Sequence, residues 1–253
     1  GKTPWLNPSN HHLFSLAHEP SIFGLIIGII DQISGMTTLI SPETGGLVRV
    51  VTKKTANSDN IIKKIIESTQ NWFGHLISDV AGSKTSKGRG SGLTVPGWAA
   101  LQKLQFGSFE INGKSLNIAE VSEWMFQNGY DVRAFTAQLI PVIINETLIR
   151  TYWILKQHFY YGQSINESMP SASRREVDRL LLVSSAVFST LDIGDAFIKS
   201  QTSSKPGGAT GTFLMTMNIP ELAAFGLHAV QNVRNEVKHR RYIENLIDTD
   251  IEE

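Results

Sequence analysis

The sequence predicts a mainly α protein, a single-domain helical bundle with one or two small β-hairpins. Three observations point there. Apolar residues recur at helical spacing in several long segments. Only two short stretches combine strand-like residues with turn chemistry. Hydrophobic residues make up 41% of the 253, enough for a buried core.

The elements follow in chain order. Pro20 stands where a first helical turn tolerates proline, and Ile22, Phe23, Leu25, Ile26, Ile29, Ile30 and Ile33 are apolar nearly all round. This helix is expected to be buried, with Gly24 and Gly28 leaving a flat strip for a neighbour. Residues 37–40 and 47–52 read as a hairpin around SPETGG, and Ser58 caps a helix that runs to Asp79. Residues 80–95 form a Gly/Ser/Lys loop, and Pro96-Gly97 restarts order. In FEINGKSL, Asn112-Gly113 is a tight-turn signal for a second hairpin. Residues 117–128 read as a helix closed by Gly129, and 131–160 as a long helix bent at Pro141. A further helix covers 173–200, SSKPGGATG at 203–211 is a flexible connection, and the last helix covers 220–247. Its stripe of Leu222, Phe225, Ala229, Val233 and Val237 needs a partner, so one domain over 1–253 is expected.

The totals exclude several functions. Net charge is zero, so no global field recruits nucleic acid. Cysteine is absent, which removes disulfides, thiolate metal sites and a cysteine nucleophile and fits a cytoplasmic location. The longest apolar run, IFGLIIGII at 22–30, is about half of the roughly 20 residues a membrane span needs. No transmembrane helix is therefore expected. Peripheral contact remains open through the aromatic run TYWILKQHFYY and the cations Arg234, Lys238, Arg240 and Arg241.

Carboxylates set in apolar stripes need a partner, because a lone buried charge costs several kcal/mol. Asp31 continues the Gly24/Gly28 face. Glu146 lies in line with Leu139, Ile143, Ile149 and Trp153, one turn before Arg150, at ion-pair spacing. Asp195 falls in line with Leu180, Ser184, Val187, Leu191 and Ile198, with Asp192 three residues earlier. These five ionisable residues, Asp31, Glu146, Arg150, Asp192 and Asp195, are read as a buried polar network or the wall of a polar pocket.

In NWFGHLISDVAGSKTSKGRGSGLTVPGW, His75 and Asp79 share one helical face, as a catalytic pair or as metal ligands. The segment after them places Lys84, Lys87 and Arg89 among glycines, chemistry suited to an anion such as phosphate. It lacks the spacing of a nucleotide-binding P-loop. Asn10-His11-His12 and His18-Glu19 form a second cluster. His18, Asp31, His75 and Asp79, joined by His12, would suit a divalent transition metal such as zinc, manganese or iron.

Ser68, His75 and Asp79 resemble the last motif of the phosphatidic-acid phosphatase superfamily, S-R-x5-H-x3-D. Thr69 stands where that motif has its phosphate-binding arginine, and the superfamily's other two motifs have no counterpart. AHEPSIFGLIIGIIDQ, NWFGHLISDVAGS, GRGSGLTVPGW and NETLIR are similar to a group of bacterial proteins with no assigned activity, so that likeness implies no mechanism. Two functional expectations result. One is a noncatalytic helical module that binds a protein partner, an anionic ligand or a membrane surface. The other is a metal-dependent phosphoester hydrolase, with His75 and Asp79 at the reaction centre and a cationic loop receiving phosphate.

Overall fold

The computed structural model describes residues 11–52, 60–80, 92–170, 174–202 and 207–252. Helices dominate, and the described β-structure consists of two antiparallel two-stranded sheets. The chain divides into two compact units: Gly1–Thr136 with Lys199–Thr216, and Ala137–Ile198 with Met217–Glu253.

Unit 1 opens with a short helix α1 (His11–Phe14) and a tight 3-10 turn (Leu16–His18). Helix α2 (Ile22–Ser34) starts at Ser21, whose hydroxyl accepts from the Gly24 amide, and ends at Gly35, whose φ of 67° is the left-handed conformation that lacks a penalty only without a Cβ. Strands β1 (Met36–Ile40) and β2 (Leu47–Val51) pair with Met36 opposite Val51. Helix α3 (Ile61–Val80) follows, then α4 (Trp98–Leu101). Strands β3 (Phe109–Ile111) and β4 (Lys114–Leu116) turn at Asn112 and Gly113, with φ of 54° and 71°. Both central residues have positive φ, as a tight hairpin whose twist matches its strands requires. Helix α5 (Ile118–Gln127) carries a full capping box between Asn117 and Glu120.

The core of this unit is apolar in the ordinary way. Leu13, Phe14, Leu39, Ile40, Val95 and Tyr130 are all within 1% of full burial. Trp98 stacks on Tyr130 at 5.2 Å. The Gly24/Gly28 strip packs as expected, since a Cβ on Gly28 would lie 2.6 Å from Trp72 Cδ1 and one on Gly24 2.0 Å from the Glu19 carbonyl oxygen. The rest of α2 is not buried. Ile22, Phe23, Ile26 and Ile30 are exposed, because the side of α2 that faces protein is the one carrying Gly24, Ile27, Gly28 and Asp31.

The expected connection at 203–211 also differs. Residues 203–206 lie outside the described residues, but Gly207 is buried, donates to Asn112 Oδ1 at 2.9 Å and presses on Trp124. Helix α9 (Gly208–Thr216) begins directly after it. Its glycines serve close packing rather than slack.

Unit 2 is built from helix α6 (Val132–Leu155), which starts in unit 1, together with α8 (Arg175–Thr202) and α10 (Ile219–Glu252). A π turn (Lys156–Tyr160) extends α6, Pro141 sits within it, and the short α7 (Ile165–Ser168) lies between α6 and α8. The expected inward stripe of α8 faces outward: Val187, Leu191 and Ile198 are 57, 68 and 65% exposed, while Ser185 and Ser189 are buried. On α10, Val233 and Val237 are exposed as well.

Counting only uninterrupted apolar runs hides two longer segments. Val132–Tyr160 and Arg175–Thr202, of 29 and 28 residues, are each long and apolar enough to cross a membrane. In their most apolar stretches only 6% and 22% of residues are buried. At 1.5 Å per residue each exceeds the roughly 30 Å hydrocarbon layer.

Candidate functional site

The histidines before α2 and the end of α3 meet in unit 1. Leu13, Phe14 and Leu16 anchor the first segment in the core, and the main chain of Ser15 bridges to Leu39. That anchoring fixes His12 and His18 on one side of the turn. Trp72 Nε1 donates to the Ala17 carbonyl at 2.7 Å and ties α3 to the same turn. Seven residues further along α3, about two helical turns, Asp79 reaches the histidines.

Three atoms converge there. His12 Nδ1 and His18 Nδ1 are 2.8 Å apart, and Asp79 Oδ2 lies 3.4 Å from each. His12 and Asp79 are buried, and His18 is partly exposed. His11 adds another imidazole, its ring centroid 3.8 Å from that of His12 and 5.4 Å from that of His18. One ring nitrogen from each of His11, His12 and His18 can be chosen so that all three lie within 4.8 Å of one another.

The cluster shapes its own protonation. Burial, then the neighbouring His18 and His11, push the His12 imidazole down to about 3, so its ring is neutral at physiological pH. Burial alone would raise the Asp79 carboxyl. The hydrogen bond to His18 and the surrounding imidazoles outweigh burial and hold it below its ordinary value.

A pocket of about 210 Å³ opens beside the cluster, lined in part by His18, Gly28, Asp31, Trp72 and His75. His75 sits at its exposed rim, its ring centroid 6.0 Å from that of His18. Asp31 lines the same pocket, but its oxygens are engaged. Oδ2 accepts from the Thr38 amide at 2.6 Å and Oδ1 from the Thr38 hydroxyl at 2.7 Å, with Arg49 at 3.7 Å. These bonds make Asp31 the clamp between α2 and β1.

Of the residues singled out as metal ligands, His18 and Asp79 are thus in contact, His75 stands at the rim and Asp31 is committed to Thr38. Asp79 contacts His18, 61 residues away in the chain, and His12, while His75, one turn before it on α3, acts on its carboxylate through charge. Lys84, Lys87 and Arg89 lie outside the described residues; the next described residue, Gly92, donates its amide to the Asp79 carbonyl at 2.8 Å.

The other ionisable residues belong to unit 2. Glu146 pairs with Arg150 at 3.2 Å and with His228 at 3.3 Å, joining α6 to α10. Asp192 accepts from the Asn218 amide at 2.6 Å, and Asp195 is exposed. Missed in the sequence were Asp178, which is buried and accepts from Gln231 and Asn235, and Asn145, which accepts from the Ser184 hydroxyl at 2.6 Å. The polar residues set among apolar ones on α6, α8 and α10 were the available signal.

Comparisons with protein-family models, curated proteins and solved structures find nothing that matches the chain. Fold and site together define a helical protein of two unlike units, one carrying an imidazole–carboxylate cluster beside a pocket and the other turning its apolar side chains outward.

Proposed function

We propose that the chain is an integral membrane module whose helices α6 and α8 cross the bilayer. The observation that carries this reading is the inverted arrangement of unit 2. Ile140, Ile143, Ile144, Leu148, Val183 and Leu191 are more than half exposed, whereas hydrogen bonds from Ser184 to Asn145 and from Gln231 to Asp178 join the helices to one another. In water this exposes apolar area without return; in lipid the same side chains meet hydrocarbon, and polar contacts hold the helices together. This replaces the expected peripheral contact with insertion. The exposed isoleucines of α2 and α3 add an apolar surface suited to the membrane interface.

Charge gives the module a direction. Lys156, Arg174, Arg175 and Arg179 lie at the turn between α6 and α8, and Glu236 bonds to Arg175 and Arg179, which brings the α10 segment holding Arg234, Lys238, Arg240 and Arg241 to the same end. Exposed Tyr152, Tyr160 and Tyr161 stand there too. Cations follow the cytoplasmic side and tyrosines the interface, so this end faces the cytoplasm.

The test is carbonate extraction of membranes from cells expressing the full chain. Retention in the pellet supports insertion, release into the wash indicates surface binding, and recovery from the soluble fraction without detergent sinks the reading. For direction, the natural absence of cysteine lets Glu167→Cys and Gln201→Cys be labelled singly in spheroplasts with an impermeant maleimide. Labelling only at 201 supports the assigned direction.

A second reading has an observation of its own. The convergence of His12, His18 and Asp79 next to a pocket favours a metal-dependent phosphoester hydrolase. Phosphatase and phosphodiesterase screens with added zinc or manganese test it. An active wild type with an inactive His75→Ala variant supports it, and equal rates for the two remove it.

A further inference from the structure

We propose that His12 Nδ1, His18 Nδ1 and Asp79 Oδ2 are three donors of a site for one divalent ion of the zinc class, with His11 within reach as a fourth. This inference is independent of whether the chain enters a membrane.

The geometry of the three atoms carries it. Each imidazole nitrogen presents either a proton or a lone pair, and an ionised carboxylate presents only lone pairs. If His18 Nδ1 alone is protonated, it can serve both neighbours, but the lone pairs of His12 and Asp79 then face each other at 3.4 Å. If both histidines are protonated at Nδ1, each can donate to Asp79, but two N–H groups collide across 2.8 Å. With neither protonated, three lone-pair bearers meet unassisted. His12 protonated alone leaves His18 and Asp79 facing each other in the same way, so with Asp79 ionised no assignment of protons satisfies all three edges of this triangle. A cation at its centre satisfies all three at once.

The dimensions agree with this. Metal–nitrogen and metal–oxygen bonds of about 2.0–2.1 Å around a tetrahedral ion place donor atoms about 3.3–3.4 Å apart. Two of the edges are 3.4 Å, and the third, at 2.8 Å, needs a small rotation of a ring. Two or three imidazoles with one carboxylate form a nitrogen-rich donor set that suits zinc better than magnesium or calcium. His18 borders the pocket, so a position left open by protein ligands would face solvent and a guest there.

The experiment uses the full chain, stripped with EDTA, then titrated calorimetrically with zinc sulfate and in parallel with cobalt(II) chloride followed by visible absorption. The expected result is saturation at one ion per chain with the intense ligand-field bands of tetrahedral cobalt. His18→Ala and Asp79→Asn should weaken binding about tenfold or more, and His239→Ala, far along α10, should leave it unchanged. A folded wild type with no saturable zinc binding overturns the proposal, as does wild-type affinity in both variants. Should either variant fail to fold, thermal unfolding of the wild type decides. Zinc must raise its midpoint, and an unchanged midpoint at saturating zinc overturns the site.

Discussion

Units 1 and 2 solve opposite packing problems with similar residues. Unit 1 buries Leu13, Phe14, Leu39, Ile40 and Tyr130 and spends its polar groups on a few defined bonds, such as Asp31 to Thr38 and Trp72 to Ala17. Unit 2 has a modest apolar cluster of Trp153, Val177 and Leu181, and joins its helices through Glu146, His228, Asp178, Gln231, Asn145 and Ser184. Ile140, Ile143, Ile144, Leu148, Val183, Val187 and Leu191 look outward. Where water drives folding, apolar atoms converge; where hydrocarbon is the solvent, that drive disappears between helices, and close contact of small and polar residues takes over.

The largest expected effect breaks unit 1. Phe14→Ala empties a fully buried position and should cost about 3–5 kcal/mol in chemical denaturation, whereas Val187→Ala on the outer face of α8 should stay within about 0.5 kcal/mol. Equal costs would erase the distinction between the units. Next comes a charge on the outer face. Leu191→Arg near the middle of α8 should reduce insertion by about 3 kcal/mol, read as the inserted fraction in microsomes, while Asp195→Arg, nearer the end of α8, should disturb it less.

A smaller effect sharpens the packing of α2 on α3. Gly28→Ala puts a methyl 2.6 Å from Trp72 Cδ1 and should destabilise by about 1–3 kcal/mol; a neutral result would mean that Trp72 can move aside. Of similar size is a dependence on acid in metal-free protein. The unfolded chain takes up a proton at His12 near its ordinary 6.5, but the folded chain refuses it until about 3. Between these values the unfolded state binds more protons, so stability falls as pH falls. His12→Gln should flatten that slope in urea midpoints measured from pH 7 to 5, and an unchanged slope would assign it elsewhere.

Local chemistry was legible in the sequence wherever a few adjacent residues decide the outcome. Asn112-Gly113 announced its hairpin, Asn117 and Gly129 bounded α5, and the spacing of Glu146 and Arg150 announced their ion pair. His18 and Asp79 could be marked as ligand types, but their meeting depends on Leu13, Phe14 and Trp72 docking a distant turn, which no local pattern encodes. The direction of a helical stripe was not legible either. Periodicity shows that Val187, Leu191 and Ile198 share a side of α8, but whether that side faces core or lipid depends on the solvent. The serines Ser185 and Ser189 opposite them were the clue.

The most direct test of the inverted unit is spin-label accessibility in liposomes. With no native cysteine to remove, Leu191→Cys, Ile144→Cys and Ser185→Cys can each carry a nitroxide in the reconstituted full chain. The account predicts strong relaxation by oxygen and little by a water-soluble nickel chelate at 191 and 144, with low access to either at 185. Dominant relaxation by the chelate at 191 and 144 would contradict it.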